Sequence, residues 1–216
     1  MTDFQLRYTG DYLGADGSLA IPDIALDLYA PHPAIHVDFL RSQAPQPGDS
    51  GYQSRLYSLE LTADDIAEAD GVVIFRPWVK ASTFARGAER LTVIGRAGAG
   101  YDKIDLAACT ANDVAVFNAP DTLTHATASS AFILMLALAK RLPEQQAMVR
   151  DGRWDLQAAT MGQDLPGKTL GIVGLGASGR ELARLAAPWG MRIIAFSPRA
   201  SVEEAARLGV ALVPSI

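Results

Sequence analysis

The chain has 216 residues, 49% hydrophobic and 20% charged, with a formal net charge of -5. This is globular composition with room for one large or two small domains, and it gives no electrostatic case for nucleic acid or an anionic membrane. Cys109 is the only cysteine, so an intrachain disulfide is excluded and a reducing, cytoplasmic setting is expected.

Residues 1–60 are the hardest to read. Gly14, Gly17, Pro22, Pro31 and Pro33 break them into short pieces, and QAPQPGDS at 43–50 reads as a loop. The opening MTDFQLRYTG lacks the basic-then-apolar order of a signal peptide. His32, His36, His125 and Cys109 form no metal-ligand pattern, so no metal is expected.

From residue 61 the pattern sharpens. Residues 61–69 predict a short helix with Thr62 as its N-cap. Residues 71–75, 91–94 and 115–117 are apolar runs bounded by turn residues, the signature of buried parallel strands. Helices are expected at 81–89 and 106–112. Strand and helix alternate, which predicts an α/β domain over residues 1–117.

Residues 95–100 (GRAGAG) follow one of these strands. Small residues there expose successive backbone N–H groups at the carboxyl edge of the sheet, a concavity suited to a carboxylate or to a plain tight turn. A single helix is expected over 121–142, capped by Thr122 or Thr124 and ending before Pro143. Its middle, AFILMLALA at 131–139, is apolar almost all round, so burial on several sides is expected. The run is far short of the roughly 20 residues that span a bilayer. A polar connector is expected over 144–167.

The most informative stretch comes next. An apolar strand at 170–173 leads into GLGASG at 174–179, then a helix and a second apolar strand at 193–196. This is the βαβ unit of a dinucleotide site with its G-x-G-x-x-G turn. Gly174 allows the turn, Gly176 leaves room for a pyrophosphate, and Gly179 lets the helix lie close to the strand. Ala177 and Ser178 open the helix, whose free N–H groups and positive dipole end favour phosphate. Leu182, Leu185 and Ala186 are expected to face the sheet. After the second strand the chain reads Ser197-Pro198-Arg199, without the acid that commonly binds a ribose 2′-hydroxyl. Ser197 can donate a hydrogen bond and Arg199 can pair with a 2′-phosphate, which favours NADP(H) over NAD(H). The plainer alternative makes Arg199 a solvated loop residue. A helix at 202–208 and a strand at 210–213 complete the chain.

Taken together, RAGAGYDKID, FNAPDTLTHATASSAFILMLALAKRL, GRW and LPGKTLGIVGLGASG resemble the D-isomer-specific 2-hydroxyacid dehydrogenases, over roughly residues 60–216. The resemblance implies a flavodoxin-like substrate domain, here 1–117, followed by a Rossmann dinucleotide-binding domain, here 118–216 and incomplete. It implies hydride transfer between NAD(P)H and a small 2-keto or D-2-hydroxy acid, and a homodimer with the long helix near its interface. The backbone N–H groups of Ala99 and Gly100 would hold the substrate carboxylate. Arg76 is either a second anion contact or an ordinary surface arginine. The family carries a glutamate where this chain has Ser129. Its catalytic arginine, glutamate and histidine fall beyond the position matching Ile216, so no catalytic residue is assigned, His125 included, and the chain is expected to be a truncated, inactive part of the enzyme. The competing expectations are a nucleotide-sensing binding protein of the same fold and an inert fragment.

Overall fold

The computed structural model describes residues 3–216. They divide into two units, one ending at Pro120 and one beginning at Asp121. The first contains β1 (Phe4–Tyr8), β2 (Ile35–Phe39), α1 (Tyr52–Arg55), α2 (Ala63–Ile66), β3 (Gly71–Ile74), β4 (Val93–Arg96), α3 (Leu106–Ala111) and β5 (Ala115–Asn118). The second contains α4 (Thr124–Ala139), α5 (Leu142–Arg150), β6 (Thr169–Val173), α6 (Ala177–Ala186), β7 (Arg192–Phe196), α7 (Val202–Arg207) and β8 (Val210–Leu212).

The first unit is a five-stranded parallel sheet in the order β2-β1-β3-β4-β5, the doubly wound flavodoxin-like arrangement. Alternation along β3 sets its two faces. Val72 and Ile74 enter one apolar cluster with Leu61, Leu91 and Ile94. Val73 and Phe75 pack into another around Leu6, Tyr8 and Tyr12. The hard-to-read first 60 residues thus supply two strands of the sheet and the second cluster's centre.

Several expected elements differ. The helix expected at 81–89 is one 3-10 turn, Ala81–Phe84. Gly87, at φ +78, takes the chain out of it. The strand expected at 91–94 runs Val93–Arg96, because Ile74 pairs with Arg96 on one side and Asn118 pairs with Arg96 on the other. The strand therefore reaches into the glycine turn. At α2 the Thr62 cap is present, with Asp65 completing a reciprocal capping box.

In the second unit the single helix expected over 121–142 is two helices. Leu123, not a threonine, stands at the N-cap position, and Thr124 is the first helical residue. The break has a clear cause. Pro143 has no N–H to give the Ala139 carbonyl, and its ring would crowd that carbonyl. Gln163 N–H takes the place at 2.7 Å. Arg141 turns the chain at φ 52, and Pro143 sits in the first turn of α5. The polar connector expected at 144–167 thus holds most of a helix. The expected burial of the apolar helix is also not met within the chain. Only Ala128 of α4 is buried, while Ile133, Leu134 and Leu138 are 64%, 65% and 77% exposed.

The second sheet is parallel, ordered β6-β7-β8. Ile172, Ile193 and Ala195 share one core with Ala183 and Ala186 of α6 and Ala205 of α7. The most buried α6 positions are these alanines, with Leu182 beside them and Leu185 at the margin. The opposite face is open at β6, where Val173 is 70% exposed.

Candidate functional site

The second unit's glycine turn lies between β6 and α6. Its three glycines differ in what holds each position to glycine. Gly174 has φ +92, a conformation that favours glycine. A Cβ on Gly179 would lie 2.1 Å from the Gly174 carbonyl oxygen, so only glycine lets the helix start this close to the strand. A Cβ on Gly176 would meet nothing within 4 Å. Neither backbone strain nor packing therefore demands a glycine at 176. That residue is the N-cap of α6 and, being glycine, has no side chain to cap the helix. The first intrahelical bond runs from Arg180 N–H to the Gly176 carbonyl at 2.9 Å. The N–H groups of Ala177, Ser178 and Gly179 precede it and have no intrahelical acceptor, so they face outward at the positive end of the helix.

The register Val173↔Phe196 brings the turn beside the end of β7. Gly174 N–H donates to the Phe196 carbonyl at 2.8 Å. Ser197 and Pro198 therefore stand at the same carboxyl edge as the glycines. They line a cavity of about 550 Å³ with Phe196, Ala200, Leu212, Val213 and Pro214. Arg199 is exposed beside it and forms no ion pair among the described residues. Below the turn, His125 Nδ1 lies 2.7 Å from Glu181 Oε1, and Arg184 grips the same carboxylate with two bonds of 2.7 Å. Arg184 first and His125 second hold the Glu181 carboxyl down at about 2. Ser129, where the family would carry glutamate, bonds back to the Ala126 carbonyl in its own helix.

The first unit gathers the other expected residues at the carboxyl ends of β3, β4 and β5. Ala97 N–H bonds the Ile74 carbonyl at 3.0 Å, and Ala119 N–H bonds the Gly98 carbonyl at 3.0 Å. Asn118 Nδ2 holds the Ala99 carbonyl at 2.8 Å. With their carbonyl side tied back, the N–H groups of Ala99 and Gly100 have no acceptor among the described residues.

Arg76 is held from behind, a feature the sequence reading missed. Asp11, whose side chain is fully buried, accepts from Thr9 Oγ1 at 2.6 Å and from Arg76 N–H at 3.0 Å. Its Oδ2 also lies 3.5 Å from the Arg76 guanidinium, which stacks 3.9 Å above the Phe75 ring. Lys103 Nζ donates to the Arg76 carbonyl at 3.0 Å and the Tyr57 carbonyl at 2.9 Å. Burial, then Arg96, then Arg76 push the Lys103 ammonium below its ordinary range against the pull of Asp11. One buried carboxylate thus stands among three cations. The only sequence signal for it was an acid just past β1, in a segment without readable periodicity.

Residues 132–215 match the D-isomer specific 2-hydroxyacid dehydrogenase NAD binding domain. D-3-phosphoglycerate dehydrogenase of Rattus norvegicus is 37% identical over 155 residues, 72% of this chain and 29% of that protein. Its counterpart in Methanocaldococcus jannaschii is 39% identical over 157 residues, 73% of this chain and 30% of that protein. The chain thus spans under a third of the length of these curated relatives. Among solved structures, a Thermus thermophilus protein superposes with a TM-score of 0.71 at 26% identity, covering 97% of this chain and 60% of that one. D-lactate dehydrogenase from Aquifex aeolicus, complexed with NAD and lactic acid, gives 0.70 at 17% identity over 97% and 56% of the two chains, a likeness of fold alone.

Proposed function

We propose that this chain, whose residues 132–215 are those of a D-isomer specific 2-hydroxyacid dehydrogenase NAD binding domain, serves hydride transfer between a nicotinamide dinucleotide and a small 2-keto or D-2-hydroxy acid. The observation that carries the reading is the open position at Gly176, between a glycine required by its φ and a glycine required by packing. In this reading the N–H groups of Ala177, Ser178 and Gly179 bind the pyrophosphate. Ser197, Pro198 and Arg199 meet the adenosine ribose. Bound there, the dinucleotide supplies the hydride. In the first unit, the N–H groups of Ala99 and Gly100 orient the substrate carboxylate. Arg76, steadied by Asp11, adds positive potential at that edge. We assign no catalytic side chain among these residues, and His125 is engaged by Glu181.

Two finer assignments follow. Exposed Arg199 and the absence of an acid at 197–199 favour the 2′-phosphate of NADP(H). The exposed Ile133, Leu134 and Leu138 on α4 favour a homodimer through this helix, since so apolar a surface is uncommon on a monomer. Titrating the chain with NADPH and NADH, followed by nucleotide fluorescence, tests the reading. Saturable binding with NADPH preferred is expected. No saturation with either nucleotide would remove it.

A further inference from the structure

The first unit has a second cavity, of about 260 Å³, lined by Tyr8, Tyr12, Ile21, Asp23, Ile24, Val73, Phe75 and Ala97. It lies where β1, β3 and β4 end. In a 2-1-3-4-5 sheet the crevice between β1 and β3 is the topological switch point, where ligands of such folds bind. Its walls are mostly apolar, with three aromatic rings and Asp23 as the one charged residue. Tyr12 stacks on Phe75 with ring centroids 5.3 Å apart and meets Tyr8 edge-on at 5.2 Å. Irregular chain supplies the outer wall through Ile21 and Ile24. An engineered cavity of about 150 Å³ already holds benzene, so this one has room for a single ring and little more.

The cavity is not a sealed void. Tyr12 is 3% exposed, yet its hydroxyl makes no hydrogen bond among the described residues. The Tyr8 and Tyr29 hydroxyls, by contrast, bond each other at 2.9 Å. Ala97, on the cavity wall, lies two residues before Ala99, so their Cα atoms are at most about 7 Å apart. A group held at the Ala99 and Gly100 N–H pair is therefore within reach of the cavity mouth. Burial first and the Asp11 carboxylate second push the Tyr12 hydroxyl up, while Arg96 and Arg76 oppose them, so two guanidinium groups balance a carboxylate near the mouth.

We propose that this cavity takes the side chain of the substrate, and that the preferred 2-keto acids carry one aromatic or comparably bulky apolar group. This rests on Ala99 and Gly100 holding the carboxylate. The test is calorimetric titration of the chain with glyoxylate and with phenylpyruvate, in wild type, Ile24→Trp and Ala97→Leu. Both variants fill the cavity from its rim, the second at an exposed residue, and circular dichroism shows that each is folded before titration. Phenylpyruvate is expected to bind at least tenfold tighter than glyoxylate. Each variant should erase that advantage and leave glyoxylate affinity within twofold. If phenylpyruvate binds no tighter than glyoxylate, or keeps its advantage in both variants, the cavity is not a side-chain site while the carboxylate reading stands. If neither acid binds, the carboxylate reading itself falls and this proposal falls with it.

Discussion

Two turns of this molecule look alike in sequence and differ in structure. GRAGAG at 95–100 and GLGASG at 174–179 each lie at the carboxyl end of a parallel strand. In the second unit the turn feeds straight into the ten-residue α6, and Gly179 packs against the Gly174 carbonyl. In the first unit the strand itself runs on to Arg96. Gly98, at φ +146, has the flexible Arg96 side chain as its nearest neighbour, and the loop is tied down by Asn118 and Ala119. The first turn exposes loop N–H groups suited to a carboxylate. The second aims a helix end suited to a pyrophosphate. A glycine count does not separate the two. What each missing Cβ would touch does.

The sharpest way to break this comparison is to add that Cβ. Gly179→Val forces backbone against backbone, and we expect a loss of about 4 kcal/mol or more, enough to unfold the second unit. Thermal unfolding followed by circular dichroism reads it directly. Gly98→Ala meets a movable guanidinium first, so its cost is mainly the backbone conformation, about 1–3 kcal/mol. Chemical denaturation should show a lowered midpoint with a folded protein at zero denaturant. Equal effects of the two substitutions would mean that the two glycines serve one purpose after all.

Arg199→Ala touches ligand choice and not the fold. A charge-assisted contact to a 2′-phosphate contributes roughly 1.5–3 kcal/mol, so the ratio of NADPH to NADH affinity should fall at least about tenfold. An unchanged ratio would make Arg199 a solvated loop residue.

The smallest effect is expected at Glu181. Arg184 and His125 lower its carboxyl to about 2 from the ordinary 4.5. A depressed carboxylate stabilises the fold fully above its unfolded value and loses that contribution as pH falls toward the folded value. The melting temperatures of wild type and Glu181→Gln should therefore differ at pH 6 and converge as pH drops from about 4.5 toward 2. A gap that stays constant across that range would contradict the ion-pair account.

The readable parts of the sequence were those where one local rule dominates. Strand runs, the Thr62 cap and the glycine fingerprint each rest on residues a few positions apart. The misses came where distant residues decide. The extension of β4 to Arg96 depends on neighbours 22 positions away on either side, Ile74 and Asn118. Asp11 and Arg76 meet across 65 residues, and nothing near Asp11 announces it. The break after Ala139 was legible in part, since Pro143 was visible. That Gln163 would return to satisfy the freed carbonyl was not. The candidate cofactor residues lie in two short stretches, 174–179 and 197–199, and could be named from the sequence. The aromatic cavity is assembled from four separate segments and could not.

The central claim is that Gly176 is glycine because a phosphate group needs its space. Gly171 is the control, since a Cβ there also meets nothing within 4 Å but lies inside β6, before the turn. The decisive measurement is a fluorescence titration of NADPH into wild type, Gly171→Ala and Gly176→Val, each shown to be folded by circular dichroism. We predict that wild type and Gly171→Ala bind with the same affinity and that Gly176→Val shows no saturable binding. A folded Gly176→Val that binds like wild type would contradict the account.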